Sequence, residues 1–213
     1  MDKVLILTDG KAGHENQSKA FARALGCDFD LVEVHFKSKA LKALSYLLDR
    51  VGVRTLRLLS TAVDCNRLQA KPVAVIGTGS GTFYAAKAVA KRLGVKCGVV
   101  LYPRGYHLAS FDCVLAPAFD RPKKAPNVVE LPVNLVASDE SFYQKGVEAF
   151  NLRTKIVPDV AVIIGGPNRC STMSAQWMRE RLDEIFVQRG VMAVTTSRFP
   201  FPPLQQRKRV ART

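Results

Sequence analysis

The sequence predicts an α/β fold built on a parallel sheet, and three observations predict it. Short apolar runs alternate with segments of helical periodicity along most of the chain. The runs are apolar at nearly every position, as strands covered on both faces are, and glycines cluster where a run passes into a helix.

The first run is Val4-Leu5-Ile6-Leu7-Thr8, and a helix is read from Ser18 to Leu25 with Gly26 as its C-terminal cap. Between them lies Asp9-Gly10-Lys11-Ala12-Gly13-His14-Glu15-Asn16-Gln17. A strand, a glycine loop and a helix N-terminus form a cradle whose unpaired amides favour negative charge, phosphate above all. Lys11 follows Gly10 directly and no Gly-Lys-Ser/Thr triplet is present, so the loop is not that of an ordinary NTPase. His14 adds a group able to exchange a proton near neutral pH. Of the other two histidines, His35 alternates with Val34 and Phe36 and reads as a strand residue.

Pro72–Ile76 is the next strand, and Gly77-Thr78-Gly79-Ser80-Gly81-Thr82 a second glycine cradle before a helix over Phe83–Leu93. The third glycine of a dinucleotide fingerprint would fall on Thr82, and no acidic residue stands at the ribose position, which argues against nicotinamide or flavin. Strands follow at Lys96–Leu101, Phe111–Ala116 and Val128–Leu131, and a helix opens within Ser138–Gln144. Parallel sheets bind ligands at the carboxyl ends of their strands, which is where Arg104 and Asp120 fall. After a linker at Lys155–Pro158 the pattern restarts with a strand at Val160–Ile164, Gly165-Gly166, a helix from about Ser174 bearing Met178, Leu182, Ile185 and Phe186 on one side, and a strand at Met192–Thr196. The domains expected are therefore residues 1–154, an incomplete second domain over 155–198, and a basic disordered tail over 199–213.

Composition narrows the class. With 213 residues, 47% of them apolar, the chain can bury a sizeable core. No uncharged apolar stretch reaches membrane-spanning length, and the Asp2-Lys3 start leads straight into a strand, so a cytoplasmic protein without signal peptide is expected. Five cysteines, Cys27, Cys65, Cys97, Cys113 and Cys170, are widely spaced with no Cys-x-x-Cys pair, which points to reduced, mostly buried thiols rather than a zinc site or disulfide frame. Thirty-two Lys and Arg against eighteen Asp and Glu give a net charge of +14, so the partners expected carry phosphate. No zinc-finger, RNP-like or helix-turn-helix pattern accompanies that charge, so no specific nucleic acid is expected. From Lys37 to Cys65, leucines and valines three and four apart are interleaved with Lys and Arg. This describes one amphipathic basic helix, or two broken near Gly52, fit either to cover a sheet or to lie on anionic lipid.

Six elements in order carry a family resemblance: Asp-Gly-Lys-x-Gly-His-x-x-Gln at Asp9–Gln17, Ile-Gly-x-Gly at Ile76–Gly79, Pro103-Arg104, Phe-Asp through a strand to an Asp at Phe111–Asp120, Ile-Gly-Gly at Ile164–Gly166, and Thr-Ser-Arg at Thr196–Arg198. Together they resemble the ELM-type family, whose members are called mitochondrial fission proteins in plants and glycosyltransferases or sugar-nucleotide enzymes in bacteria. The resemblance implies two Rossmann-like domains facing across a cleft, the GT-B arrangement. It is related in plan to the glycosyltransferase that completes the lipid-linked peptidoglycan precursor, an enzyme with a His in a glycine-rich loop and a basic apolar patch for the membrane. The chain departs from the family pattern at Phe119, where relatives have His, and at Phe199-Pro200, where they continue Arg-Thr-Pro. Relatives also extend further, so a C-terminally truncated member is expected.

The resemblance implies transfer of a sugar from a nucleotide-sugar donor to a cell-envelope or lipid-linked acceptor, with His14 as the base. Gly10, Lys11 and Gly13 would shape the first loop, Gly77, Gly79 and Gly81 would admit substrate closely, and Gly165, Gly166 and Arg198 would meet diphosphate. Asp9, Asn16, Gln17, Arg104, Asp120 and Ser197 complete the substrate- and phosphate-binding set. No cofactor or metal is expected, the nucleotide-sugar being a substrate. The other reading, set by the missing part of the second domain, is a non-catalytic protein held peripherally on the inner face of an anionic membrane.

Overall fold

A computed structural model describes residues 2–60, 70–136, 140–154, 157–165, 174–189 and 191–196. The chain forms two compact units, residues 1–139 and 140–213. The sequence boundary at 154 would keep the helix over Glu140–Thr154 with the first domain, whereas it groups here with the second unit.

The first unit is an α/β Rossmann-like domain. Its strands β1 (Lys3–Thr8), β2 (Asp28–Glu33), β3 (Ala74–Thr78), β4 (Lys96–Val100), β5 (Cys113–Pro117) and β6 (Val128–Leu131) form one parallel sheet in the order β2-β1-β3-β4-β5-β6. Among the described residues three helices flank it: α1 (Ala12–Ala24), α2 (Lys39–Arg50) and α3 (Phe83–Leu93). The period of two along β1 splits the core. Leu5 and Leu7 join Val75, Val99 and Val114 under α3, against which Leu41 and Leu48 of α2 also pack, while Val4 and Ile6 join Ile76 and Ala22 under α1.

Several boundaries differ from the sequence reading. Helix α1 begins at Ala12 rather than Ser18, because Gly10 takes a left-handed turn (φ +77°) that ends the strand's line at once and leaves Lys11 as N-cap. At the end of α1, Ala24 and the following Leu25 face solvent, while Gly26 takes φ +66° at the helix end as expected. His35 lies beyond β2, which ends at Glu33 where its partner β1 ends at Thr8. The amphipathic segment gives one helix, α2, capped by Ser38, whose Oγ accepts from the Leu41 amide at 3.1 Å. Gly52 (φ +75°) stops it, and beyond the break the described residues form only a 3₁₀ turn over Leu56–Leu58. No α-helix joins β4 to β5 or β5 to β6; irregular segments with 3₁₀ turns do.

The second unit contains α4 (Glu140–Thr154), β7 (Val160–Ile164), α5 (Ala175–Arg189) and β8 (Met192–Thr196), with β7 and β8 paired in parallel. On α5 the predicted stripe is half-buried at Met178, Leu182 and Ile185, whereas Phe186 is exposed. A groove of about 520 Å³ along α4, lined by Phe142, Tyr143, Val147, Phe150, Val157 and Pro158, holds none of the predicted site residues. No described helix is long and apolar enough to cross a membrane.

Candidate functional site

In the strand order, β2 lies on one side of β1 and β3 on the other, so the connections after β1 and β3 diverge and leave a crevice at their carboxyl ends. The two glycine segments meet there. His14, which the early start of α1 places on the first helical turn, lays its ring on Gly79. Gly79 has φ +82°, and a Cβ there would stand 2.6 Å from His14 Nδ1. A Cβ on Gly81 would stand 2.9 Å from Asp9 Cβ. The Gly-x-Gly spacing of the second segment is thus the imprint of two side chains of the first.

Asp9 and His14 form a dyad. Nδ1 of His14 donates to Oδ1 of Asp9 at 2.9 Å, and Lys11 Nζ donates to Oδ2 at 2.7 Å. The Asp9 side chain is only 9% exposed, that of Lys11 66%. Burial works to raise the Asp9 pKa, but the hydrogen bonds and positive charge of Lys11 and His14 outweigh it and hold the carboxyl below its ordinary value. With Nδ1 engaged, Nε2 is the nitrogen that has no protein partner among the described residues, and the ring keeps 23% of its surface open. A carboxylate that fixes the tautomer and leaves Nε2 as acceptor is the arrangement a general base needs.

The remaining predicted residues divide. Gly10 is required by its φ of +77°, while the nearest atom to an added Cβ, Glu33 Oε1, ends a flexible, exposed side chain that can move aside. Gly13 has open space around it within the helix, so it shapes no loop. Gly77 belongs to β3, where a Cβ would meet Thr82 Oγ1 at 2.8 Å; its smallness serves the packing of α3 on the strand. Asn16 is exposed, and Gln17 is buried with Nε2 donating to the Gly13 carbonyl at 3.4 Å while Oε1 finds no donor among the described residues. Arg104 and Asp120 are brought together at the ends of β4 and β5: the guanidinium donates to the Asp120 carbonyl at 2.6 Å and lies 3.5 Å from its carboxylate. Gly165 follows β7, with no described residue within 4 Å of an added Cβ, and Gly166, Ser197 and Arg198 lie outside the described residues.

Sequence reasoning missed three supports. Ser18 and Thr78 share a buried hydrogen bond of 2.6 Å that ties α1 to the end of β3. Lys42 of α2 donates to Ser80 at 2.9 Å. Behind them, Lys87 is buried on Asp49, with Nζ at 2.9 and 3.1 Å from its two oxygens and 2.9 Å from the His107 carbonyl. Arg54 adds a contact to Asp49 at 3.0 Å, and the ammonium sits 3.8 Å over the ring of Phe111. Burial lowers the Lys87 pKa to about 8 even though Asp49 supports the charge. The sequence reading singled out neither residue. The signal was their position on the apolar side of α2 and α3.

Cys97 is buried, and desolvation pushes its thiol up to about 12, an inert group; Cys27 and Cys113 are half-buried and free. Cys65 and Cys170 lie outside the described residues. Among the described residues no three His, Cys, Asp or Glu side chains gather as a metal site would need.

A search of the curated proteins found no match. The family described as Mitochondrial fission ELM1 matches residues 12–200, which takes in α1 with His14, the Gly79 loop and both units, and leaves Asp9, Gly10 and Lys11 just ahead of the matched segment. A match across nearly the whole chain, in agreement with the ordered motifs of the sequence, makes the chain a member of the Mitochondrial fission ELM1 family.

Proposed function

We propose that the chain acts as a glycosyltransferase on a nucleotide-sugar donor and a hydroxyl-bearing cell-envelope or lipid-linked acceptor. The observation that carries this reading is the Asp9–His14 dyad, seated on Gly79 at the crevice of the sheet with Nε2 unengaged among the described residues. In the step proposed, the acceptor oxygen attacks the anomeric carbon and forms the new glycosidic bond. The bond from that carbon to the diphosphate breaks, the nucleoside diphosphate leaves with the electron pair, and His14 Nε2 takes the acceptor proton. Proton transfer of this kind contributes on the order of a hundredfold or more to rate. The N-terminal amides of α1 and α3, with Lys11, favour negative charge beside the dyad. The family resemblance would have Gly165, Gly166 and Arg198 meet the donor diphosphate.

Calorimetric titration of the chain with UDP, GDP and CMP and their sugars, in moderate salt, tests the reading. Saturable binding to one nucleotide-sugar is expected, with His14→Gln binding the donor as well as the wild type and losing transfer. No binding to any of them overturns it.

A second reading, a non-catalytic protein held peripherally on a membrane, is favoured by a different observation, the exposed apolar side chains of α2.

A further inference from the structure

We propose that Gln17 determines specificity at the dyad: its carboxamide oxygen accepts a hydrogen bond from a second hydroxyl of the molecule whose reacting hydroxyl meets His14, so that the site takes a sugar ring and not a lone alcohol. The proposal rests on the transferase reading and names the class of its acceptor. Positions 14 and 17 stand three apart on α1, which makes their side chains neighbours, about 5–6 Å apart at Cβ. Gln17 is only 9% exposed, and its Nε2 donates to the Gly13 carbonyl at 3.4 Å, which draws the carboxamide back to the first turn, where His14 stands. A carbonyl takes only a donor, so this bond fixes which end of the amide is the oxygen. Among the described residues Oε1 has no donor. Phe21, one turn further along the same stripe, lies 3.1 Å from where a Cβ on Gly98 of β4 would stand. Helix α1 returns the chain from the end of β1 to the start of β2 and so runs against the parallel strands. Gln17 therefore falls at the carboxyl end of β4, where the Val100 carbonyl accepts from the amide of Gly79 beneath the His14 ring. One turn the other way along the stripe, Gly13 leaves open space, with nothing within 4 Å of an added Cβ. The unmet oxygen thus borders the crevice with room beside it.

The chemistry of that oxygen selects its partner. An amide oxygen only accepts, so it does not bond an ionised phosphate, whose oxygens are acceptors too. An ammonium is disfavoured at the positive end of the α1 dipole, where the Asp9 carboxylate is already engaged by Lys11 and His14. A neutral hydroxyl remains. A buried acceptor that only a ligand satisfies penalises every ligand lacking the donor, because binding then seals the oxygen away from water unpaired. A ring with hydroxyls on successive carbons presents one to His14 and the next to Gln17. Grouped by the resemblance with the substrate- and phosphate-binding residues, Gln17 is on this geometry a reader of hydroxyls.

Protection of His14 from diethyl pyrocarbonate, read by peptide mass mapping with exposed His35 as the control, reports occupancy of this subsite without any donor. The probes are the methyl glycosides of glucose, galactose, mannose and N-acetylglucosamine, the singly deoxygenated analogues of whichever protects best, and n-butanol. A glycoside is expected to protect, n-butanol to fail at the same concentration, and one deoxygenation to weaken protection by about tenfold or more. In Gln17→Met, which keeps the length of the side chain without its acceptor, that glycoside and its deoxy analogue should protect alike. A merely structural loss would weaken both and leave their ratio unchanged. If the methionine variant does not fold, the deoxygenation series on the wild type decides alone. No protection by any glycoside, no deoxygenation that weakens it, or a discrimination that survives in Gln17→Met each overturns the proposal. Calorimetric binding of a nucleotide-sugar without these signals overturns the role of Gln17 and leaves the transferase reading standing; these signals without nucleotide-sugar binding overturn the transferase reading and leave the hydroxyl subsite.

Discussion

His14 is held on three sides: by the Asp9 carboxylate at Nδ1, by the backbone of Gly79 beneath the ring, and by the helix that carries it. Each support can be removed separately. Asp9→Asn should lower kcat by about a hundredfold with KM unchanged, because the amide no longer fixes the tautomer that keeps Nε2 unprotonated; steady-state kinetics on the identified donor reads this. Gly79→Ala should displace the ring and add roughly 1–3 kcal/mol of backbone strain at φ +82°, measured by urea unfolding. The depressed pKa of Asp9 also has a thermodynamic sign. Its stabilising contribution is fully present above the ordinary aspartate value of 3.8 and is lost as pH falls through the lower folded value. In acid melting curves the wild type should therefore lose stability more steeply below that pH than Asp9→Asn.

At the scale of elements, the entry to α1 and the seat of α2 decide most. Gly13 lies in the first helical turn with nothing within 4 Å of an added Cβ, so Gly13→Ala should stabilise the protein by about 0.5–1 kcal/mol, the opposite of Gly79→Ala. Helix α2 is fastened to α3 by Asp49 and Lys87, and a buried pair behaves asymmetrically. Asp49→Ala should cost about 3–5 kcal/mol by leaving an ammonium buried without its partner, while Asp49→Ala with Lys87→Met should cost clearly less than the sum of the two single changes; urea unfolding of the cycle measures both. Because the folded pKa of Lys87 is about 8 against an ordinary 10.5, the unfolded chain binds more protons across that window. The contribution of this lysine to stability thus rises as pH increases from about 8 toward 10.5.

For the molecule as a whole, the net charge of +14 sets the background against which any partner is measured. Attraction to polyanions without preference is expected: DNA of any sequence should be retarded at low ionic strength and released as salt rises, in a fluorescence titration across ionic strengths. Retention of one sequence at high salt would contradict the reading of these charges as unspecific. Saturable donor binding and vesicle binding in moderate salt are the signals that rise above this background.

Local pattern determined β1, β3 to β6 and α3, while β2, partly exposed along its length, carries no such apolar run and was not read. The buried runs at Val4–Leu7, Val75–Ile76 and Val99–Val100 needed no knowledge of their neighbours, because a strand covered on both faces is apolar in any context. The position of His14 in a cradle was legible for the same reason, and so was the family, whose motifs are local. What a single stretch cannot hold is a contact across the crevice. Gly79 and Gly81 read as room for substrate, and only the order β2-β1-β3 brought Asp9 and His14 onto them. No local pattern singled out Lys87 or Asp49, and only the packing of α2 on α3 buried them together. Burial and partnership depend on which strands lie side by side, which is a property of the folded chain and not of any window along it.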